Sequence, residues 1–151
     1  MCLSLGTVAF ADSGKEKMTK EEREQLKLER AAFQEYKTEL KNQKLQVNLV
    51  SQEIKLINNE IKEKKLELKE ANEKLTTEQK EEFLDFSSLI SELKIQILEA
   101  KIKFNELNIG RNDFSKEDNV KNLEEAGQII EELQKSLETV KGTITERLSK
   151  I

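Results

Sequence analysis

Paired carboxylates are the residues of this chain whose type and spacing come closest to catalytic chemistry. Adjacent acidic pairs recur among lysines, and they are Glu21-Glu22, Glu81-Glu82, Glu124-Glu125 and Glu131-Glu132. General acid–base catalysis needs a carboxyl group whose pKa is shifted, usually by an apolar pocket. Nothing in the surrounding sequence forecasts such a pocket. We therefore interpret these pairs as solvated helix faces and predict no catalytic residue.

Metal and nucleophile chemistry is limited by the residue types that the chain contains. The 151 residues include no histidine and one cysteine. A zinc site, a Cys–His pair and a Ser-His-Asp triad each require more than that. Asn112, Asp113 and Asp118 could offer oxygen ligands to calcium, but the EF-hand spacing and its central glycine are missing. We predict no metal site and no cofactor.

The charge balance excludes another class of partner. Lys and Arg number 26 against 30 Asp and Glu, so the net charge is −4, and both signs are mixed along the chain. A nucleic-acid-binding protein usually shows a basic excess with interleaved aromatic residues, so we predict no nucleic-acid partner. The chain also contains no proline, which favours long uninterrupted helices.

An uncharged segment opens the chain. Residues 1–11 carry no charge and end in Ala9-Phe10-Ala11, a pattern typical of signal-peptidase cleavage sites. We interpret residues 1–11 as the remnant of a signal peptide with a truncated or misassigned start, and residues 12–18 as a disordered mature N-terminus. We therefore expect an extracytoplasmic protein. The alternative is a disordered cytosolic tail.

The rest of the chain, residues 19–151, is predicted to form one helical domain. Its first helix is expected at about residues 19–74, starting with a capping box between Thr19 and Glu22. One heptad position, called a below, is apolar throughout, and its residues are Leu26, Phe33, Leu40, Val47, Ile54, Ile61, Leu68 and Leu75. The companion position, d, is apolar in four of its seven members, which are Tyr36, Val50, Ile57 and Ala71. A seam sustained over seven heptads predicts coiled-coil packing.

Two further helices are expected at about residues 77–109 and 116–150. Thr76 and Gln79 form a second capping box, Gly110 suits the left-handed residue after a helix, and Ser115 suits the third N-cap. Both connections are short, so successive helices should be antiparallel. The predicted fold class is all-α, a long antiparallel helical hairpin of coiled-coil type with a third helix.

Two of the helices carry more apolar residues than one seam explains. Opposite the main seam of the second helix lie Leu84, Ile95, Leu98, Ile102 and Ile109. The first helix has a similar second stripe in Leu45, Leu49, Leu56 and Leu66. These residues either widen the core face of a three-helix bundle or leave an apolar face open for a partner.

The unequal helix lengths leave part of the first helix without a predicted cover. At about 1.5 Å per residue, the second helix folds back only as far as about Asn42. Leu26, Phe33, Tyr36 and Leu40 would then lack cover within the chain. Either the first helix bends near Asn42 and gives a four-helix bundle, or these four residues form the face of a homodimer. We favour the dimer, because neither proline nor glycine marks a bend.

The element Leu75-Thr76-Thr77-Glu78-Gln79 resembles the LTxxQ motif of the Spy/CpxP family of bacterial extracytoplasmic helical proteins. Leu75, Thr76 and Gln79 match the motif, and the helical layout resembles the family's more loosely. The resemblance implies a cradle-shaped dimer that binds unfolded proteins without ATP. Metal-sensing relatives in that family use histidine and methionine ligands, which this chain lacks after Met18.

These observations together predict a secreted helical protein without enzymatic activity. Its expected function is that of a holdase-like chaperone or client-binding protein, with a client face at Leu84, Ile95, Leu98 and Ile102. The expected partners are a second copy of the chain and unfolded or envelope proteins, and no membrane span is expected in the mature chain. The alternative is a structural coiled-coil, acting as a spacer or a cell-surface interaction module.

Overall fold

The computed structural model describes residues 18–151, in which three α-helices occur. They are α1 (Lys20–Asn72), α2 (Thr77–Leu107) and α3 (Lys116–Lys150), and a 3₁₀ turn at Arg111–Asp113 lies before α3. The predicted all-α, three-helix class is confirmed. The alternative in which the first helix bends is wrong, because α1 continues through Asn42. The expected signal-peptide remnant, 1–11, and nearly all of the expected disordered segment, 12–18, lie outside the described residues.

The chain divides into two compact units, one ending at Glu35 and the other running from Tyr36 to Ile151. The described part of the first unit is the beginning of α1. Its predicted capping box is present, since the Glu22 amide donates to the Thr19 hydroxyl over 3.1 Å and the Thr19 amide donates to the Glu22 carboxylate over 3.3 Å. These bonds satisfy backbone donors that the first helical turn leaves without intrahelical partners.

In the second unit, α1 and α2 run antiparallel. Tyr36, at the start of this part of α1, bonds to Leu107 at the end of α2. Lys65, further along α1, lies 5.8 Å from the centre of the Phe83 ring near the start of α2. The opposite order of these contacts follows from the short turn between the two helices, as the sequence predicts.

The third helix returns parallel to α1. The Gln134 amide lies 3.5 Å from the Gln46 side-chain oxygen, and the Lys141 ammonium lies 3.1 Å from the Glu53 carboxylate. Both contacts join heptad position g of α1 to position e of α3, as expected for parallel coiled-coil neighbours. This arrangement gives an up-down-up bundle within residues 36–151.

The core of the bundle is made of the predicted seam residues. Among the described residues, no charged or amide side chain is fully buried. The seam members buried in the core include Val47, Val50, Ile54, Ile57, Phe83, Phe86, Ile90, Leu93, Ile97, Ala100, Phe104, Ala126, Ile130, Leu133, Leu137, Val140 and Ile144. Burying one Val, Leu, Ile or Phe side chain contributes about 1.5–3 kcal/mol, so this shared seam dominates the stability of the fold.

The turn between α1 and α2 forms the second predicted capping box. The Gln79 amide donates to the Thr76 hydroxyl over 3.1 Å, and the Thr76 amide donates to the Gln79 side-chain oxygen over 3.0 Å. Leu75 is buried beside it. The three matching residues of the LTxxQ element therefore perform a local structural task, capping α2 and anchoring the turn in the core.

The connection between α2 and α3 differs from the prediction in two respects. Gly110 is extended, with φ −80° and ψ 168°, and the end of α2 is closed by Asn108. Gly110 is therefore not the left-handed residue that was expected. Ser115 occupies the third N-cap position as predicted, but its side chain makes no capping hydrogen bond. Its carbonyl accepts from the Asn119 amide over 2.8 Å.

The expectation that α1 lacks intrachain cover at its seam is also wrong. Tyr36 is 1% exposed, Leu40 is 6% exposed and Phe33 is 8% exposed, while Leu26 is half-buried. The prediction compared only helix lengths and did not include the connection between α2 and α3, which covers Tyr36. Phe114 of that connection packs on Tyr36, with ring centres 5.8 Å apart. The homodimer itself stays a prediction, but the buried Phe33, Tyr36 and Leu40 no longer supply its argument.

A left-handed residue lies in the other turn. Glu73 has φ 68°, a conformation that costs a residue with a side chain roughly 1–2 kcal/mol. We expect Glu73→Gly to raise the free energy of unfolding by roughly 0.5–1 kcal/mol, as measured by urea denaturation. Glu70→Gly in the last turns of α1 is the matched control and should lower it by roughly 1 kcal/mol. Equal effects of the two changes would contradict a special role for the backbone at Glu73.

Candidate functional site

The apolar stripe predicted on the second helix is exposed to solvent. Leu84, Ile95, Leu98 and Ile102 are 56–68% exposed, and we call these four residues the α2 outer stripe. They occupy heptad positions b and f, on the side of α2 away from its buried seam. Ile109, which the sequence groups with them, instead packs against the core. The interpretation in which the stripe widens the core is therefore wrong for these four residues.

The second stripe of α1 is exposed as well. Leu45, Leu49, Leu56 and Leu66 are 51–59% exposed. Leu49 and Leu56 line an open groove between α1 and α3, with Leu137 of α3 in the same groove. Leu45 and Leu66 lie at position f, directly opposite the seam. The bundle thus carries apolar side chains on outer faces that its own core does not use, which is typical of a binding surface.

The paired carboxylates of the sequence are placed on the surface. Glu125 pairs with Lys103 over 2.9 Å, and this contact raises the pKa of Lys103. Glu81, Glu124, Glu131 and Glu132 are exposed. These four side chains are therefore solvated and lack the apolar surroundings that general acid–base catalysis uses.

Acidic side chains could also hold a metal ion where several of them lie together. Within residues 18–151, no three His, Cys, Asp or Glu side chains are grouped so that they could hold a metal ion. Asn112, Asp113 and Asp118, which loosely suggested calcium, are all exposed. Among these described residues, none of the helices has the length and hydropathy that a bilayer crossing requires.

The densest polar cluster lies where α3 meets the start of α2. The Arg147 guanidinium donates to both carboxylate oxygens of Glu82 and, over 3.0 Å, to Asp85. It also lies 5.2 Å from the centre of the Phe86 ring. The hydrogen bonds to Glu82 and Asp85 raise the pKa of Arg147. Two carboxylates and an aromatic face already occupy this guanidinium, so we interpret the cluster as a clasp between α2 and α3.

Tyr36 forms the other polar link between helices, and sequence reasoning did not anticipate it. Its hydroxyl donates to the Leu107 carbonyl over 2.5 Å. The last carbonyls of a helix have no intrahelical partner, so the tyrosine satisfies one end of α2 from inside the core. Burial raises the pKa of Tyr36, and a hydrogen bond with Asn122 lowers it by less. The sequence signal was an aromatic hydroxyl at a seam position, where a purely apolar residue would suffice.

Gln43 is also a polar residue at a seam position, and Gly127 of α3 lies beside it. Its side-chain oxygen is buried without a hydrogen-bond partner in the structure. A Cβ atom placed on Gly127 of α3 would lie 3.8 Å from the Gln43 amide nitrogen, which is an ordinary contact distance. Gly127 therefore gives the Gln43 side chain room but is not sterically required.

Comparison with known proteins adds no relative to this description. The chain matches no protein-family model, no curated protein and no solved structure. The resemblance to the Spy/CpxP family stays a prediction that depends on the LTxxQ element and the helical layout. The candidate site is therefore defined by its own geometry, an exposed apolar stripe on a bundle whose core is complete without it.

The burial of Tyr36 leads to a prediction about alkaline pH. Because burial raises its pKa above the ordinary value of about 10, the folded state holds the phenolic proton more tightly than the unfolded chain. The resulting stability is fully present below pH ~10 and is lost as the pH rises towards the raised pKa. We expect Tyr36→Phe to be less stable than wild type by roughly 0.5–1.5 kcal/mol at neutral pH, through loss of the hydrogen bond to Leu107.

The difference between wild type and Tyr36→Phe should shrink above pH ~10, because only the wild type loses stability through this ionisation. Urea unfolding followed by circular dichroism at neutral and alkaline pH measures both free energies. Lysine titration affects both proteins alike and cancels in the comparison. A difference that stays constant with pH would contradict the burial of a neutral tyrosine.

Proposed function

We propose that the protein is an extracytoplasmic, non-enzymatic client-binding protein with holdase-like activity, of the type that the Spy/CpxP resemblance implies. The observation that supports it best is the α2 outer stripe, four large aliphatic side chains that are 56–68% exposed beside a complete core. Leaving such residues in water costs free energy that a bound apolar segment would recover. No nucleotide is needed for that recovery.

The proposed mechanism uses weak, repeated apolar contacts. Successive members of the stripe from Ile95 to Ile102 lie three or four residues apart on one side of α2, so an extended or helical client segment can contact several of them at once. Lysines such as Lys94 and Lys101 alternate with them and keep the occupied surface hydrated. Each contact is small, so clients should bind reversibly and without a unique sequence.

The stripe can be tested without disturbing the fold. We expect wild-type chain to suppress the aggregation of a chemically denatured test protein at low salt without ATP, measured by light scattering. Leu98→Ser with Ile102→Ser should remove most of this suppression, because both side chains leave the stripe. Their exposure predicts little change in thermal unfolding.

A matched control changes two exposed leucines of α1. The double change Leu49→Ser with Leu56→Ser removes two large aliphatic side chains that are 52% and 59% exposed. These leucines lie beside α3 and do not belong to the α2 outer stripe. This control should retain suppression. Equal loss in both double variants would point to general surface hydrophobicity, and no suppression by the wild type would contradict the proposed function.

The second candidate function is a structural coiled-coil spacer or cell-surface interaction module. The observation that favours it is α1, which is 53 residues long without interruption. A spacer needs the rigid helix but not the exposed stripe. If the wild-type chain does not suppress aggregation, removing the stripe has no effect to measure in this assay. That result would favour this candidate.

We also propose that the chain forms a homodimer, through the beginning of α1. In this unit Leu26, at seam position a, is half-buried. Exposed apolar side chains on a helix are a common basis for pairing with a second copy. The proposed contact differs from the dimer face predicted from the sequence, because Tyr36 and Leu40 already belong to the core of the single chain.

Sedimentation distinguishes pairing from folding. We expect wild-type chain to sediment as a dimer at micromolar concentration, and Leu26→Glu to sediment as a monomer with its helicity kept. Leu40→Glu should instead lower the unfolding temperature at unchanged mass, because it places a charge in the core. A wild-type chain that stays monomeric over the same range would contradict the dimer.

A further inference from the structure

Acidic and basic residues occupy different flanks of α1. Between residues 39 and 72, heptad positions c and g hold six glutamates and no basic residue, for example Glu53 and Glu60. Positions b and e hold no acidic residue over the same stretch. Their lysines are Lys41, Lys44, Lys55, Lys62, Lys65 and Lys69. All six are exposed, so one flank of the helix is a continuous basic strip.

The second helix adds a parallel basic strip. Lys80, Lys94 and Lys101 occupy position e of α2 and are exposed. Positions b, e and f of α2 contain one acidic residue, Glu81. This distribution is unusual for a chain with net charge −4, because surfaces that serve only solubility mix both signs.

The two strips lie on the same side of the bundle. Position g of α1 faces α3, as the Glu53–Lys141 pair shows, and Lys65 at position e reaches over Phe83 of α2. Position g of α2 also faces α3, through Lys103 and its ion pair. The e and b flanks of α1 and α2 therefore adjoin each other on the side away from α3. We call this surface the lysine face.

Exposed aliphatic side chains lie among these lysines. The α2 outer stripe occupies positions b and f of α2, and Leu45 and Leu66 occupy position f of α1. The lysine face is thus basic and apolar along about 40 Å of helix, from Lys41 to Lys69. A partner that matches a surface of that composition is both anionic and apolar.

A second copy of this chain does not meet that requirement. Pairing two lysine faces would place lysine opposite lysine, which is repulsive. The outer row of α3 is acidic at Glu124, Glu131 and Glu138, but it offers no aliphatic side chain to cover Leu98 or Ile102. The partner must supply anionic charge and apolar surface together over a broad area.

We propose that the lysine face docks on the surface of an anionic lipid bilayer. Anionic headgroups attract the lysines, while the aliphatic side chains reach the boundary between headgroups and acyl chains. All nine basic residues of the face are lysine, a flexible point charge that suits a diffuse plane of phosphates and does not need the bidentate geometry of arginine. The contact is peripheral, and none of the helices within residues 18–151 is long and apolar enough to cross a bilayer.

This proposal goes beyond client binding and does not depend on it. A bilayer and a client would compete for the α2 outer stripe, but only the bilayer uses the whole length of the lysine face. The aggregation assay can fail while vesicle binding succeeds, and the reverse is equally measurable. The two proposals are therefore tested separately.

The first experiment is co-sedimentation of the full chain with vesicles. We expect binding to vesicles of equal phosphatidylglycerol and phosphatidylcholine, and little binding to phosphatidylcholine alone. Raising NaCl from about 0.05 M to about 0.5 M should weaken the binding about ten-fold or more, because salt screens the headgroup charge. Absent binding, or equal binding to both vesicle types, would overturn the proposal.

Charge reversal locates the contact. Lys55→Glu, Lys62→Glu and Lys94→Glu in one chain should weaken binding by about ten-fold or more. Lys116→Glu, Lys121→Glu and Lys135→Glu in α3 make the same change in net charge on exposed lysines of another helix. This control should change binding by less than about three-fold, and equal loss in both variants would overturn the assignment of the face.

A fluorescent probe reports the contact independently of net charge. The chain contains no tryptophan, so Leu98→Trp introduces a single reporter on the lysine face. Its emission should shift to the blue and be quenched by brominated lipids when anionic vesicles are added. Val120→Trp, at a position 56% exposed on α3, should respond to neither. The same response at both positions, or binding of soluble polyglutamate in place of vesicles, would overturn the bilayer in favour of non-specific or protein contact.

Discussion

Burial of the α1 seam against two partners at once is the constraint on which the second unit depends. Val47, Val50 and Ile54 are at most 3% exposed, and α1 runs antiparallel to α2 and parallel to α3. The same side chains therefore contribute to both helix–helix contacts. Isolated helices of this polarity are marginal in water, so neither α2 nor α3 would be expected to persist without that shared seam. Caps and ion pairs adjust the arrangement but do not create it.

Charge is distributed according to the same constraint. The interhelical ion pairs of Glu53, Lys103 and Arg147 each involve α3, which is joined to both neighbours by opposite charges. The flanks where α1 and α2 adjoin carry lysine on both helices. Packing of the α1 seam is strong enough to hold these two basic flanks together, and surface ion pairs contribute little by comparison. The fold thus tolerates a concentration of like charge that its electrostatics alone would disfavour.

Periodicity in the sequence was sufficient to predict the helices, their order and nearly all of the core, because seam burial depends only on which residues share a helix face. The capping boxes at Thr19 and Thr76 were predictable for a similar reason, since both partners lie within one helical turn. Tyr36 was not predictable in the same way. Its cover depends on a carbonyl at the end of α2 and on Phe114, and loop conformation carries no periodic signal. Gly110 failed as a left-handed cap because α2 already ends at Leu107.

The second stripes were ambiguous in the sequence because an apolar outer face reads the same whether another helix covers it or water does. With three helices in the described residues, the α2 outer stripe has no further helix to contact, and its side chains are exposed. Substitutions there change a surface, whereas substitutions in the seam change the core. Ionic strength then distinguishes the occupants of this surface, because screening weakens attraction between lysines and headgroups but leaves apolar contacts with a client largely intact. A single stripe serving both would bind clients at either ionic strength and lipids only at low salt.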